Sequence, residues 1–159
     1  MTGLERLNAM DDPAAETELL ACCASKRWAR EMARARPFRT EAELFAASDR
    51  VWDALPALDR LEAFAAHPRI GAPASGQAAR EQSGARGASG EVRSALALAN
   101  REYENRFGYI FIVCAAGKSA EEMLDLCRRR LHNDPVKELD AASEEQKKIT
   151  HLRLQRWLA

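Results

Sequence analysis

Apolar residues recur at three- and four-residue intervals in one stretch of this chain after another, the mark of helices with one buried face. Asp11-Asp12-Pro13 supplies a cap and a first-turn proline for a helix reaching about Ala24. A second helix over 26–36 stops at Pro37, because the residue before a proline is pushed out of helical backbone. Thr40 and Glu43 have capping-box spacing, and Leu44, Phe45, Ser48, Val51, Trp52 and Leu55 follow at helical intervals. Leu58, Leu61, Phe64 and Ala65 mark the next helix, which ends at His67 ahead of Pro68. Residues 71–77 are turn material, 78–83 a short helix, and 84–90 a loop carrying Gly84, Gly87 and Gly90. Val92, Leu96, Ala99 and Tyr103 then predict a long amphipathic helix to about Arg106. Ser119 with Glu122 forms a second capping box, opening a helix to about His132. Asp134-Pro135 starts a last long helix with Val136, Leu139, Ile149, Leu152 and Trp157 on its apolar side.

One stretch breaks this rhythm. Phe107-Gly108-Tyr109-Ile110-Phe111-Ile112-Val113-Cys114-Ala115 is aromatic and β-branched, which favours extended backbone. A lone strand cannot form a sheet, so the pattern predicts an extended piece buried between helices. Its N–H and C=O groups then need partners, either neighbouring side chains or a polar ligand. The expected fold is all-α: a single-domain multi-helix bundle over 1–159 with one buried extended segment near 107–116.

Composition narrows the function classes. The 159 residues suffice for a core without disulfides or metal. Lys+Arg and Asp+Glu both number 24, so the formal charge is zero, which argues against nucleic acid or an anionic membrane as partner. The longest apolar run, 109–116, is far too short to span a bilayer. The first six residues show no secretory signal, and no peroxisomal tripeptide closes the chain, so a cytoplasmic setting is expected. Cys22, Cys23, Cys114 and Cys127 lack the two-residue gap of zinc or redox sites and read as reduced, buried thiols.

Candidate chemistry centres on His67-Pro68-Arg69-Ile70-Gly71 and, shortly after, Glu81-Gln82-Ser83-Gly84. Imidazole titrates near ~6.5 and can give or take a proton at cellular pH. On one continuous helix His67 and Glu81 would lie roughly 21 Å apart, but the proline and glycines between them permit a sharp return. A carboxylate beside an imidazole orients it and favours its protonated form. Gln82 offers donors and an acceptor suited to an amide-rich ligand, and Arg153 offers a two-pronged grip on a carboxylate. Taken alone, each has a plainer reading: a helix-end histidine satisfying carbonyls, a solvated glutamate, an exposed arginine. Arg128-Arg129-Arg130 reads as a solvated helix face, and His132 and His151 as lone histidines without metal-like partners. No metal cluster, phosphate loop, dinucleotide fingerprint or nucleophile elbow is visible.

Four separated motifs in order go further. The two motifs above, with Tyr103 through Arg106, Phe107-Gly108-Tyr109-Ile110-Phe111-Ile112 and Ile149 through Leu154, make the chain resemble the decarboxylases of 2-oxo-4-hydroxy-4-carboxy-5-ureidoimidazoline (OHCU) in urate degradation. Leu7-Asn8-Ala9-Met10 and Arg36-Pro37-Phe38 also look like family features. The resemblance implies an all-α homodimer that releases CO2 from OHCU to give (S)-allantoin with neither metal nor organic cofactor. It implies that His67 is the catalytic histidine and Glu81 its acidic partner. Pro68, Gln82, Phe111, Ile112, Val113, Cys114 and Ala115 would line the substrate, partly through backbone groups, and Arg153 would reach it from the final helix. Many relatives carry a serine where this chain has Ala78, and Asp-Leu where it has Arg69-Ile70. The competing reading is a non-catalytic helical module that holds a ureide or similar small amide.

Overall fold

Capping chemistry sets most of the helix boundaries. The computed structural model describes residues 1–72, 76–85 and 87–159. Among these, nine α-helices and no strand occur: α1 (Gly3–Ala9), α2 (Asp12–Leu20), α3 (Lys26–Arg34), α4 (Glu41–Asp53), α5 (Ala57–Ala65), α6 (Gly76–Glu81), α7 (Gly90–Phe107), α8 (Ala120–Arg130) and α9 (Pro135–Leu158). A 3₁₀ turn at Ser83–Ala85 follows α6. Pro73, Ala74, Ser75 and Arg86 lie outside the described residues, so the turn expected at 71–77 and the loop at 84–90 are described only in part.

The caps differ from expectation in two places. Thr2 and Glu5 form a full capping box on α1, a short helix that apolar spacing does not reveal. At α4 only half the expected box forms: Thr40 Oγ1 accepts from Glu43 N, while the Glu43 carboxylate takes the N–H of Arg39 instead. The box of Ser119 and Glu122 on α8 is complete. Gly108, at φ 83°, stops α7 in the left-handed conformation that favours glycine, and its N–H bonds back to Glu104 O.

The chain divides into two compact units, Met1–Ala63 with Lys147–Ala159, and Phe64–Gln146. In the first, Trp28, Met32, Leu19 and Leu44 are fully buried, and Trp28 Nε1 donates to Ser48 O at 3.3 Å. Here Leu7-Asn8-Ala9-Met10 meets the turn at 36–38. Asn8 donates to Phe38 O at 2.8 Å and accepts from Phe38 N at 2.9 Å. Arg36 Nη1 donates to both Leu7 O and Met10 O at 2.7 Å, satisfying carbonyls at the end of α1. Two features distant in sequence are thus one clasp. His151, read from sequence as lone, has its Nε2 at 2.6 Å from Asp49 Oδ1.

In the second unit, Ile70, Leu96, Ala99, Tyr103, Phe111, Val113, Ala115, Met123, Leu124 and Cys127 form the core. The segment 110–115 takes no regular secondary structure, and 111–115 are buried, as the pattern predicts. Arg130 corrects the sequence reading: its side chain is only 12% exposed and it pairs with the fully buried Glu138. Val136, assigned to the apolar side of α9, is exposed. No helix among the described residues is long and apolar enough to cross a membrane.

Candidate functional site

α5 ends just before the motif, and the N–H of His67 still bonds to Phe64 O at 3.1 Å, so the histidine sits on a final turn. Pro68 cannot extend that turn, and the chain departs. Two bonds fix the departing loop. Asn100, buried on α7, donates through Nδ2 to Ile70 O at 2.9 Å, and Gly71 N donates to Gln82 Oε1 at 3.0 Å. The second bond delivers the sharp return expected from the prolines and glycines, bringing the stretch after His67 against the turn that carries Glu81 and Gln82.

Glu81 ends α6 and is 6% exposed. Gly84, three residues on, fits because it has no side chain: a Cβ there would lie 2.0 Å from Lys118 O. Gly84→Ala is therefore expected to destabilise the fold by roughly 1–3 kcal/mol, read as a lower urea midpoint. An unchanged midpoint would mean that these two loops separate without cost.

His67 Nε2 lies 2.6 Å from Oε1 of Gln146, a fully buried residue of α9. The residue before it, Glu145, accepts the N–H of Cys114 at 3.0 Å. Adjacent positions on one helix therefore touch the histidine and the extended segment.

That segment finds its backbone partners in side chains. Arg130 Nη1 donates to Ile112 O at 2.6 Å, and Lys118 Nζ donates to Cys114 O at 2.7 Å. Arg130 also lies over the Phe111 ring, 4.7 Å from its centroid, and donates through Nη2 to Glu138 at 2.5 Å. Glu138 further accepts from Asn133 Nδ2 at 3.0 Å and from the Tyr103 hydroxyl. Burial, and then that bond to Glu138, push the Tyr103 hydroxyl far above its ordinary range, so it stays a neutral donor. Burial opposes the Arg130 charge, but the hydrogen bonds and charge of Glu138 outweigh it and hold the guanidinium protonated.

Burial also raises the Cys114 thiol, with Lys118 opposing and the nearby carboxylates of Glu145 and Glu81 adding to the rise. Cys22, Cys23 and Cys127 are pushed up to about 12 by burial and stay as thiols.

Arg153 belongs to the first unit, where its charge lowers the Cys22 and Cys23 thiols slightly against their burial. Arg69 makes a forked pair with Glu104 at 2.9 and 2.8 Å on an exposed surface. Both line a cleft of about 370 Å³ along α7 whose walls include neither His67 nor Glu81. Among the described residues, no group of histidines, cysteines and carboxylates is placed to hold a metal.

Sequence reasoning missed Glu145, Gln146 and Arg130. A signal existed for Gln146, which lies seven residues after Leu139 and three before Ile149, in phase with the apolar side of α9. A polar residue on that side is a buried polar group that needs a partner.

A solved OHCU decarboxylase, crystallised in the presence of (S)-allantoin, superimposes with a TM-score of 0.82 at 37% identity, covering 89% of this chain and 96% of that one. A solved (S)-allantoin synthase gives a TM-score of 0.76 at 18% identity over 98% of this chain and 54% of its own, a likeness of fold alone. The chain therefore falls in the all-α class that the solved decarboxylase represents. The sequence profile of the OHCU decarboxylase family matches residues 8–155. The uric acid degradation bifunctional protein TTL of Arabidopsis thaliana is 36% identical over 148 residues, 87% of this chain. The OHCU decarboxylase of Amia calva is 30% identical over 128 residues, 76% of this chain and 73% of its own length. The chain spans 46% of the Arabidopsis protein, about half its length. It belongs to the OHCU decarboxylase family.

Proposed function

We propose that this chain decarboxylates OHCU to (S)-allantoin in urate degradation, as a carbon–carbon lyase. The observation that carries the reading is the meeting of three stretches in one unit: the loop after His67, the turn of Glu81 and Gln82, and the extended segment. The bond from Gly71 N to Gln82 joins the first two. Gln146, beside the His67 ring, and Glu145, on Cys114 N, link the first and third.

The chemistry follows from the substrate. The bond to the departing CO2 breaks, and its electron pair passes into the conjugated C=N and C=O system of the ring. The hydroxyl gives up its proton and becomes a carbonyl, one proton reaches the ring carbon that carries the ureido group, and the ring nitrogen of the former C=N takes up one from solvent. The ring itself accepts the electrons, so the step requires no organic cofactor. His67 moves the proton, Glu81 orients and supports the imidazole, and delivery from one face sets the (S) product. Pro68, Gln82 and the backbone of 111–115 hold the ring and ureido amides, and the role of Arg153 toward a ligand oxygen rests on the family resemblance alone. Ala78 places no hydroxyl on the substrate.

The reading takes 1–159 as one domain, supported by a family match that runs through both units. It takes the protein as a cytoplasmic homodimer. The four free, buried thiols suit a reducing compartment, and the dimer follows from the family resemblance.

Circular dichroism of OHCU freshly made from urate tests the activity. Rapid appearance of optically active (S)-allantoin supports it. Decay at the spontaneous rate to racemic product overturns it and leaves the ureide-binding module.

A further inference from the structure

We infer that the cleft along α7 is a second ligand site, separate from His67 and Glu81, for a small dicarboxylic acid that carries a hydroxyl or N–H between its carboxylates. This does not rest on the proposed decarboxylation. The cleft encloses about 370 Å³ within one compact unit, a size that suits a small molecule.

Its charge comes from the spacing on α7. Arg93, Ala97 and Arg101 follow one another at four-residue steps and all line the cleft, so they share one stripe of the helix. The methyl group of Ala97 leaves a gap that the two arginines flank. Their Cα atoms are roughly 12 Å apart along the helix, near enough for both long side chains to lean over the alanine. Arg69 and Glu104, which also line the cleft, neutralise each other through their fork. The guanidinium groups of Arg93 and Arg101 have no hydrogen bond or ion pair among the described residues. Two positive charges are thus left over at one cleft, in a chain whose formal charge is zero. A guanidinium matches a carboxylate with two parallel bonds. Two of them flanking a gap fit a ligand that is acidic at both ends.

Asn100 is an independent pointer. It lines the same cleft and is 4% exposed. Its Nδ2 donates to Ile70 O at 2.9 Å, which fixes the orientation of the amide, and its Oδ1 has no hydrogen-bond partner among the described residues. Buried acceptors are rarely left unpaired. A plain dicarboxylate brings only further acceptors to this wall. A hydroxyl or N–H between the carboxylates brings the missing donor.

Isothermal titration calorimetry of the full chain at low ionic strength tests the assignment, with malate, succinate and acetate as probes. Malate should bind saturably at a single site and more tightly than succinate, which lacks the hydroxyl, and acetate should show no saturable binding. Arg93→Gln and Arg101→Gln should each weaken malate roughly three- to tenfold, between the worth of an exposed ion pair and that of a hydrogen bond to a charged group. Their thermal midpoints should not move, because neither guanidinium holds another part of the described structure. Ala97→Glu sets a carboxylate in the gap, four residues from each arginine, and should abolish binding. No saturable binding of malate, an affinity unmoved by all three substitutions, or succinate binding as tightly as malate overturns the inference. None of these readouts needs turnover of OHCU, so this inference and the decarboxylase reading fail separately.

Discussion

Replacing His67 by alanine is expected to lower turnover of OHCU by roughly 10²- to 10⁴-fold, the usual contribution of a positioned proton-transfer group. The fold should survive. His67 is half-buried just after α5, its backbone N–H is already bonded to Phe64 O, and its ring is not part of the described core around Tyr103 and Phe111. The loop beyond it keeps its bonds from Asn100 and to Gln82. Far-ultraviolet dichroism and the thermal midpoint should therefore change little while stereospecific product formation is lost. His67→Asn, which keeps a polar group of similar reach, should be nearly as inactive, because an amide does not titrate. Near-normal turnover in either variant would remove His67 from the proton-transfer role.

The largest effect on stability is expected at Arg130. Arg130→Met leaves Glu138 fully buried without its counter-charge and leaves Ile112 O without its donor. Breaking one side of a buried pair costs roughly 3–5 kcal/mol, which for a chain of this size lowers Tm by on the order of 10 °C. Arg130→Met with Glu138→Gln should recover part of the loss, since the amide no longer buries an unpaired charge. Differential scanning calorimetry of the single and double variants checks both statements. A double variant less stable than the single one would mean that Tyr103 and Asn133, rather than the charge pair, dominate the environment of Glu138.

Much of the helical frame was legible because its boundaries rest on local chemistry. Ser119 with Glu122, Asp11 before Pro13, and Pro135 after Asp134 all mark helix starts that the structure reproduces to within a residue or two. Helix α1 escaped notice because seven residues give too few turns for a period to show. The extended segment was legible from its aromatic and β-branched run, but its partners were not. Arg130 looks like its exposed neighbours in sequence; only the approach of Ile112 and Glu138 distinguishes it. At the candidate site, His67, Glu81 and Gln82 stood out through two short motifs with strong backbone punctuation. Gln146 was missed although the phase of α9 marks it, and Glu145 had no local signal, since its role depends on a segment 31 residues away in sequence.

The extended segment has a consequence for how this protein tolerates change. A strand in a sheet is anchored by the main chain of its neighbours, and side-chain substitutions other than to proline leave that anchor in place. Here Ile112 O and Cys114 N and O are held by Arg130, Glu145 and Lys118. Each anchor is a single codon wide. The course of this backbone is thus set residue by residue, and drift at Arg130, Glu145 or Lys118 reshapes it without touching the segment itself.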